Sequence, residues 1–296
     1  TDNDDQTLNK VLDKGGEGRE GEELDAKAVS TWLREQGVDI EGEPTVTQFS
    51  GGASNWTYRL QYEGEGKGQD LILRRPPKGT KAKSAHDMVR EYTVQKALKD
   101  AYPYVPKMVA LCTDESVIGA DFYVMERMEG IIPRANLPKG IDLDVEQTRA
   151  LCTNVIDALV DLHQVDYKEH PDLVNLGRGE GYCERQVTGW DKRYIKAKTP
   201  NVPSFGLVRQ WLSKHTPADS KTCLIHNDWR FDNVILDAAD PTKVIGVLDW
   251  EMATLGDPLM DLGSALAYWV EEDDNIIMQQ SRRQPTHLEG MMTRDE

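Results

Sequence analysis

Cysteine is scarce: the 296 residues hold four, Cys112, Cys152, Cys183 and Cys223, with no Cys-x-x-Cys pair among them. That spacing offers neither a zinc site nor a dithiol redox centre, and points to a reducing, cytoplasmic compartment. Basic residues are also in deficit, 35 Lys and Arg against 51 Asp and Glu, for a net charge of -16. A general nucleic-acid binder needs a basic excess to neutralise phosphates, so that class is excluded. The acidic balance could attract a cationic substrate but identifies none. No apolar run approaches the roughly 20 residues that span a bilayer, and no leader pattern precedes the first helix, so no membrane insertion is expected. The histidines, His163 and His170 among them, show no ligand spacing. What remains is an ordinary balance of 39% hydrophobic and 29% charged residues, in a chain long enough for two lobes with a sizeable core. The stretch through Asp25, with Gly15, Gly16 and Gly18 among its acids, reads as a mobile tail.

The richest segment runs from Leu224 to Trp250, LIHNDWRFDNVILDAADPTKVIGVLDW. It contains His226-x-Asp228, Asn233 five residues after that aspartate, and Asp249 at the end of an apolar β-like run. Apolar Cys223 to Ile225 leads into a polar loop; Val234 to Leu236 and Val244 to Leu248 then flank a turn at Asp240-Pro241. The pattern predicts a loop feeding a two-stranded hairpin, with Asn233 and Asp249 at strand ends. Phosphoryl transfer asks a protein to hold magnesium on the phosphates, orient the attacking hydroxyl and accept its proton. Asp228 is placed to receive the proton, and Asn233 and Asp249 offer the hard oxygens that magnesium prefers. The competing explanation is a chance spacing in a surface loop, which the strand context argues against.

HNDWRFDN followed by LDWEMATLGDPLMDLG resembles the aminoglycoside phosphotransferase family, in particular its branch of kinase-like domains fused to acyl-CoA dehydrogenases. The resemblance covers about residues 43 to 296, and the paired motifs are specific for the family but not for a substrate. It implies an α+β, two-lobed, protein-kinase-like fold that acts on small molecules: an acidic tail and leading helix over 1–42, a β-rich lobe over 43–128, and a larger, mostly helical lobe over 129–296.

Such a fold needs a glycine-rich loop, a cationic strand residue and a helix glutamate in its first lobe, and each has a candidate in order. Thr45 to Phe49 alternates like a strand, and Trp56 to Leu60 returns as one. Between them Ser50, Gly51, Gly52, Ala53, Ser54 and Asn55 form a flexible turn whose backbone N–H groups could cover phosphates. Taken alone, Gly51-Gly52 is more often a plain hairpin turn than a nucleotide loop. The strand Asp70 to Arg74 is stopped by Pro76-Pro77. Arg74 stands where the family carries lysine; it keeps the charge in a bulkier, forked geometry, while Arg75 falls on the opposite strand face. Met88, Val89, Tyr92 and Leu98 mark a helix over 85–99, on which Glu91 matches the family's glutamate and would pair with Arg74. The alternative for Glu91 is one more solvated helix acid. Phe122 to Met125 reads as a buried strand entering a hinge. By resemblance the carbonyl of Glu126 and the amide of Met128 would pair with adenine, with Met125 behind it.

In the second lobe Val145, Leu151, Val155, Ile156, Leu159, Val160 and Leu162 trace a helical stripe over 144–163. The aromatics from Trp190 to Tyr194 could pack as core or line a substrate cleft, and core is the expectation. After Asp249, Glu251 reads as structural or bridged to the site by water, and by resemblance Asp261 is a structural acid bonding back to the catalytic loop. Thr293 to Glu296 is a capping-box pattern whose helix is not in the sequence, which suggests further helices beyond it; a frayed polar tail is the alternative. The sequence thus points to an ATP- and Mg2+-dependent small-molecule kinase, whose branch suggests a hydroxyacyl-CoA or related hydroxylated acceptor. Two alternatives stay open: a nucleotide-binding pseudokinase that regulates a partner, and an aminoglycoside- or choline-type kinase.

Overall fold

Alternating apolar positions in the first half of the chain resolve as β1 (Glu41–Gln48), β2 (Trp56–Glu63), β3 (Asp70–Arg75), β4 (Met108–Cys112) and β5 (Phe122–Glu126). They form one antiparallel sheet in the order β1-β2-β3-β5-β4, with Arg74 opposite Thr57 on one side and Tyr123 on the other. This is a computed structural model describing residues 12, 15–49, 54–64, 67–79 and 86–296; Ser50, Gly51, Gly52 and Ala53 lie outside the described residues. β1 begins earlier than the alternation suggested and includes Pro44, which an edge strand tolerates because one side has no partner to bond. That free edge attracts the segment before it. Gly16 exchanges both backbone hydrogen bonds with Gln48 (2.8 and 2.9 Å), so part of the expected mobile tail is an edge cover.

The two sheet faces have different tasks. Leu71 and Leu73 of β3 join Tyr58, Leu60, Phe122 and Val124 under helix α1 (Ala26–Glu35), which contributes Val29 and Leu33. Burying each of those two side chains is worth about 1.5–3 kcal/mol, and Asp25 starts the helix by accepting the Ala28 amide at 2.9 Å. Arg75 shares this face and is buried there, its guanidinium 5.6 Å from the Trp56 ring centroid. Ile72 and Arg74 point the other way, toward helix α2 (Met88–Leu98). The buried positions of α2 are Met88, Glu91, Val94, Gln95 and Leu98, whereas Val89 is 39% exposed. Met88 and Leu98 thus pack inward as their pattern suggested, with Glu91 and Gln95 beside them, while Val89 departs from it. The inward polar groups of the helix are satisfied by the sheet: Tyr123 donates to Glu91 (2.8 Å), and Gln95 donates to Tyr123 (3.2 Å).

Helix α3 (Val145–Gln164) is the spine of the second lobe, opened by a reciprocal capping box between Asp144 and Gln147. Its buried face, Leu151, Val155, Leu159 and Leu162, belongs to a core that also takes Trp229, Phe231, Trp250 and Trp269. Around it lie α4 (Tyr182–Ala197), α5 (Gly206–Lys214) and α6 (Pro258–Leu266), with four short strands: β6 (Cys223–Ile225), β7 (Val234–Leu236), β8 (Val244–Val247) and β9 (Thr254–Gly256). β7 pairs with β8 as the motif predicted; β9, which pairs with β6, was not anticipated. The core expectation for the Trp190 to Tyr194 aromatics is overturned. α4 buries only Tyr182 and Cys183, and Trp190 is 60% exposed. Gly130 joins the lobes where the chain presses on β7: a Cβ there would meet the Leu236 carbonyl oxygen at 2.4 Å, beside the bridge from Ile131 to Leu236. No described helix is long and apolar enough to cross a membrane.

Candidate active site

Cross-strand pairing brings the two proposed metal ligands together. Val234 lies opposite Val247, and the Leu248 amide donates to the Asn233 carbonyl at 2.8 Å, so Asn233 and Asp249 sit at the same end of the hairpin. Asp249 has a left-handed backbone, φ 64°, which aspartate tolerates better than most residues and which turns the chain out of the strand. Asn227, at φ 68°, makes a similar turn into the loop that carries Asp228.

His226 and Asp261 fix that loop. The buried imidazole faces the Leu248 carbonyl through Nε2 (2.8 Å) and receives the Asp228 amide at Nδ1 (3.2 Å), an arrangement that requires the neutral tautomer with hydrogen on Nε2. It thereby ties the loop to the residue before Asp249. Asp261 is fully buried and accepts the amides of His226 (2.9 Å) and Asn227 (2.8 Å), with His163 Nε2 at 2.8 Å. Asp261→Ala would strand two backbone donors and a histidine in the core. The expected loss is about 3 kcal/mol or more in urea unfolding, with part of it recovered in Asp261→Asn, which keeps one acceptor oxygen.

Asp228 faces a cleft of about 910 Å³ between the lobes, whose walls also include Asn233, Asp249, Arg74 and Ser54. The Asn233 Nδ2 donates to the Asp228 carbonyl (2.7 Å) and carboxylate (3.1 Å), which leaves the amide oxygen for another partner. Arg230 approaches the same carboxylate at 3.5 Å. Across the cleft Arg74 lies 3.6 Å from Glu91 and 3.5 Å from Asp249. Burial alone would lower the Arg74 pKa, but Glu91 together with Tyr123, Asp249 and Glu251 holds it above its ordinary value, so the cation persists. Burial pushes the Glu91 carboxyl up, opposed by Arg74 and by the Tyr123 hydrogen bond. Glu91 is 1% exposed, which removes the solvated-acid alternative.

Glu251 is closer to the site than its motif position suggested. It accepts Ser54 Oγ (2.8 Å) and Asn55 Nδ2 (3.1 Å), linking the loop between β1 and β2 to the second lobe, and its carboxylate lies within 4.8 Å of those of Glu91 and Asp249. Burial, then Asp249, raise its pKa. These contacts join residues almost two hundred positions apart, a pairing that local motif spacing does not encode. His86 adds a contact across 31 positions, 2.8 Å from the Asn55 amide oxygen.

The same cleft also has apolar walls, Ile72, Met125, Ile235 and Leu248 among them. Here β5 outruns β4. The Glu126 amide donates back to Lys107 (2.9 Å) and the Arg127 amide to Asp70 on the opposite side (3.0 Å). Alternation then directs the Glu126 carbonyl and the Met128 amide to the side where β4 has ended, at Pro106 in the cleft wall.

Comparison with known proteins matches this arrangement. The profile of the phosphotransferase enzyme family, APH, matches residues 45–291. "Acyl-CoA dehydrogenase family member 11" of Pongo abelii is 37% identical over 254 residues, 83% of this chain and 31% of that protein. The chain thus spans about a third of that relative's length. A crystal structure from Ralstonia eutropha JMP134, described as a candidate aminoglycoside phosphotransferase, superposes with a TM-score of 0.70 at 32% identity, over 86% of this chain and 74% of the other. At 16% identity, a streptomycin–ATP complex of APH(2")-IIa shares the fold, with a TM-score of 0.53 over 81% of this chain and 74% of that one. The chain has the two-lobed, protein-kinase-like fold and belongs to the phosphotransferase enzyme family.

Proposed function

We propose that this chain transfers the terminal phosphoryl group of ATP to a hydroxyl of a small molecule. The observation that carries the reading is convergence: Asp228, Asn233, Asp249 and Arg74 meet in one cleft that also has apolar walls and a free strand edge. Adenine fits against those walls, with the Glu126 carbonyl and Met128 amide as its acceptor and donor. Ser54 and Asn55 then lie toward the phosphates, and Arg74 meets their oxygens, held in place by Glu91. The Asp249 carboxylate and the uncommitted Asn233 amide oxygen are a hard donor set that suits Mg2+. When bound, the ion supplies charge neutralisation on the phosphates. Asp228 receives the proton as the acceptor oxygen bonds to phosphorus and the bond from phosphorus to the ADP oxygen breaks. The Acyl-CoA dehydrogenase relatives and the fold shared with an ATP complex support ATP as donor and a hydroxyacyl-CoA or related metabolite as acceptor.

One observation favours the pseudokinase reading. Arg74 reaches Asp249 at 3.5 Å, so the cation engages a carboxylate that the metal would need. Titration of ATP with and without magnesium separates the two. Under the kinase reading magnesium strengthens ATP binding and Asp249→Ala loses that dependence, because the anionic ligand is gone. A wild-type chain that binds ATP yet passes phosphate neither to water nor to any hydroxylated candidate would establish the pseudokinase instead.

A further inference from the structure

The first turn of α2 carries two adjacent side chains with different destinations. Asp87 opens the helix by accepting the Arg90 amide at 2.9 Å. Glu91 then turns to the sheet, 3.6 Å from Arg74, while Arg90, about 100° around the helix, turns to the second lobe. There its guanidinium spans two backbone carbonyls: Nη1 donates to Leu176 (2.9 Å) and Nη2 to Ala253 (2.6 Å), across 86 and 163 positions of sequence. Both acceptors are fixed. Ala253 is fully buried and directly precedes β9, which pairs with β6, the strand that runs into His226 and Asp228. Its amide donates to the Trp250 carbonyl (3.2 Å), a turn that starts from the residue after Asp249. The Leu176 carbonyl also accepts Thr254 Oγ1 (3.4 Å), and a Cβ on Gly177 would stand 2.6 Å from that same oxygen, so this segment lies flush against β9. Arg90 therefore grips a stretch of the second lobe that is continuous with both the Asp228 loop and Asp249. Charge-assisted bonds to fixed backbone set the position of a helix and not only its charge.

We propose that Arg90 is a positioning residue of the phosphate site: by docking α2 on the carbonyls of Leu176 and Ala253 it sets where Glu91, and through it Arg74, stands relative to Asp249. This rests on the reading of Arg74 as the phosphate ligand. Glu91 is the next residue along a rigid helix, so any slip of α2 at Arg90 moves Glu91 with it. Arg74 has a carboxylate on either side, Glu91 at 3.6 Å and Asp249 at 3.5 Å. If α2 withdraws, Glu91 leaves and the guanidinium falls to Asp249, away from the phosphates and onto the proposed metal ligand. A misplacement of about 1 Å at a reacting site costs up to about a hundredfold, so a contact remote from the nucleotide carries weight in this way.

Titration of ATP and of adenosine into the full chain tests this without an acceptor. Arg90→Met keeps an unbranched stem and loses both donors. It should weaken ATP about tenfold while adenosine, which has no phosphate for Arg74 to hold, binds as before; Arg90→Lys, which restores a charged donor, should recover part of the loss. The effect must also run through Arg74. In the Arg74→Met background, Arg90→Met should therefore cost little further ATP affinity, because the group it positions is already gone. Equal losses for ATP and adenosine, an unchanged ATP affinity, or losses that multiply in the double variant would overturn the proposal and leave Arg90 as a structural link between the lobes. If Arg90→Met does not fold, Arg90→Lys carries the same comparison, with a smaller loss expected for ATP and none for adenosine. The single Arg74→Met variant separates the proposal from the reading beneath it. ATP affinity that survives Arg74→Met removes the phosphate ligand itself, whereas a loss there with none in Arg90→Met or Arg90→Lys sinks the positioning role alone.

Discussion

Asp228→Asn is expected to lower turnover by about a hundredfold or more while leaving ATP affinity nearly intact, the scale and signature of losing a general base. The substitution is close to isosteric, and its amide oxygen can still accept from Asn233 Nδ2, which now lies 3.1 Å from the carboxylate. The loop should therefore keep its shape, since His226 and Asp261 hold it through backbone amides and not through the Asp228 side chain. What disappears is the capacity to take a proton and the negative charge facing Arg230 at 3.5 Å. Steady-state kinetics with a hydroxylated acceptor, together with nucleotide titration, measure the two quantities separately. Unchanged turnover would remove Asp228 from the mechanism; a matching loss of ATP affinity would mean that the residue supports the site and not the proton transfer.

The parts of the site legible in the sequence are those the chain builds locally. Asp228, Asn233 and Asp249 fall within one loop and hairpin, so motif spacing and apolar alternation together place Asp228 in the loop and Asn233 and Asp249 at strand ends. Arg74 was readable as facing away from Arg75 because strand side chains alternate. What alternation cannot tell is what covers each face: α1 packs where Arg75 points, so that residue is buried although it lies away from the cleft. The face that α2 buries is only partly set by its apolar residues, for a related reason. Apolar residues alone define a stripe, yet Glu91 and Gln95 turn inward because Tyr123 and Arg74 receive them, partners that lie on other elements. Ser54 and Asn55 were read as loop residues, but their bond to Glu251 depends on how the lobes meet. The Trp190 cluster was assigned to the core because large aromatics usually bury; the helix stripe that decides the matter, Tyr182 and Cys183, is short and leaves the rest of α4 on the surface.

Arg74→Ala is expected to have the broadest effect of any single change in the cleft. The guanidinium stands 3.6 Å from Glu91 and 3.5 Å from Asp249, with Glu251 adding a third acid nearby. Removing it leaves a carboxylate that is 1% exposed without its cation, and breaking a buried pair in this way typically costs about 3–5 kcal/mol. Nucleotide binding or transfer should fall markedly as well, since the proposed phosphate contact goes with the charge. Arg74→Lys keeps one charge but a single donor point, so it should be milder in both respects, and the lysine matches the family pattern. Glu91→Gln in the Arg74→Ala background should recover part of the lost stability without restoring nucleotide binding, because it removes the stranded acid and not the missing cation. Arg75→Ala supplies the contrast: its side chain packs over Trp56 on the opposite face, so the variant should lose about 1 kcal/mol of stability with ATP affinity unchanged. Thermal unfolding and ATP titration on the set decide the matter. If Arg75→Ala abolished nucleotide binding while Arg74→Ala left it intact, the proposed phosphate ligand would be the wrong arginine.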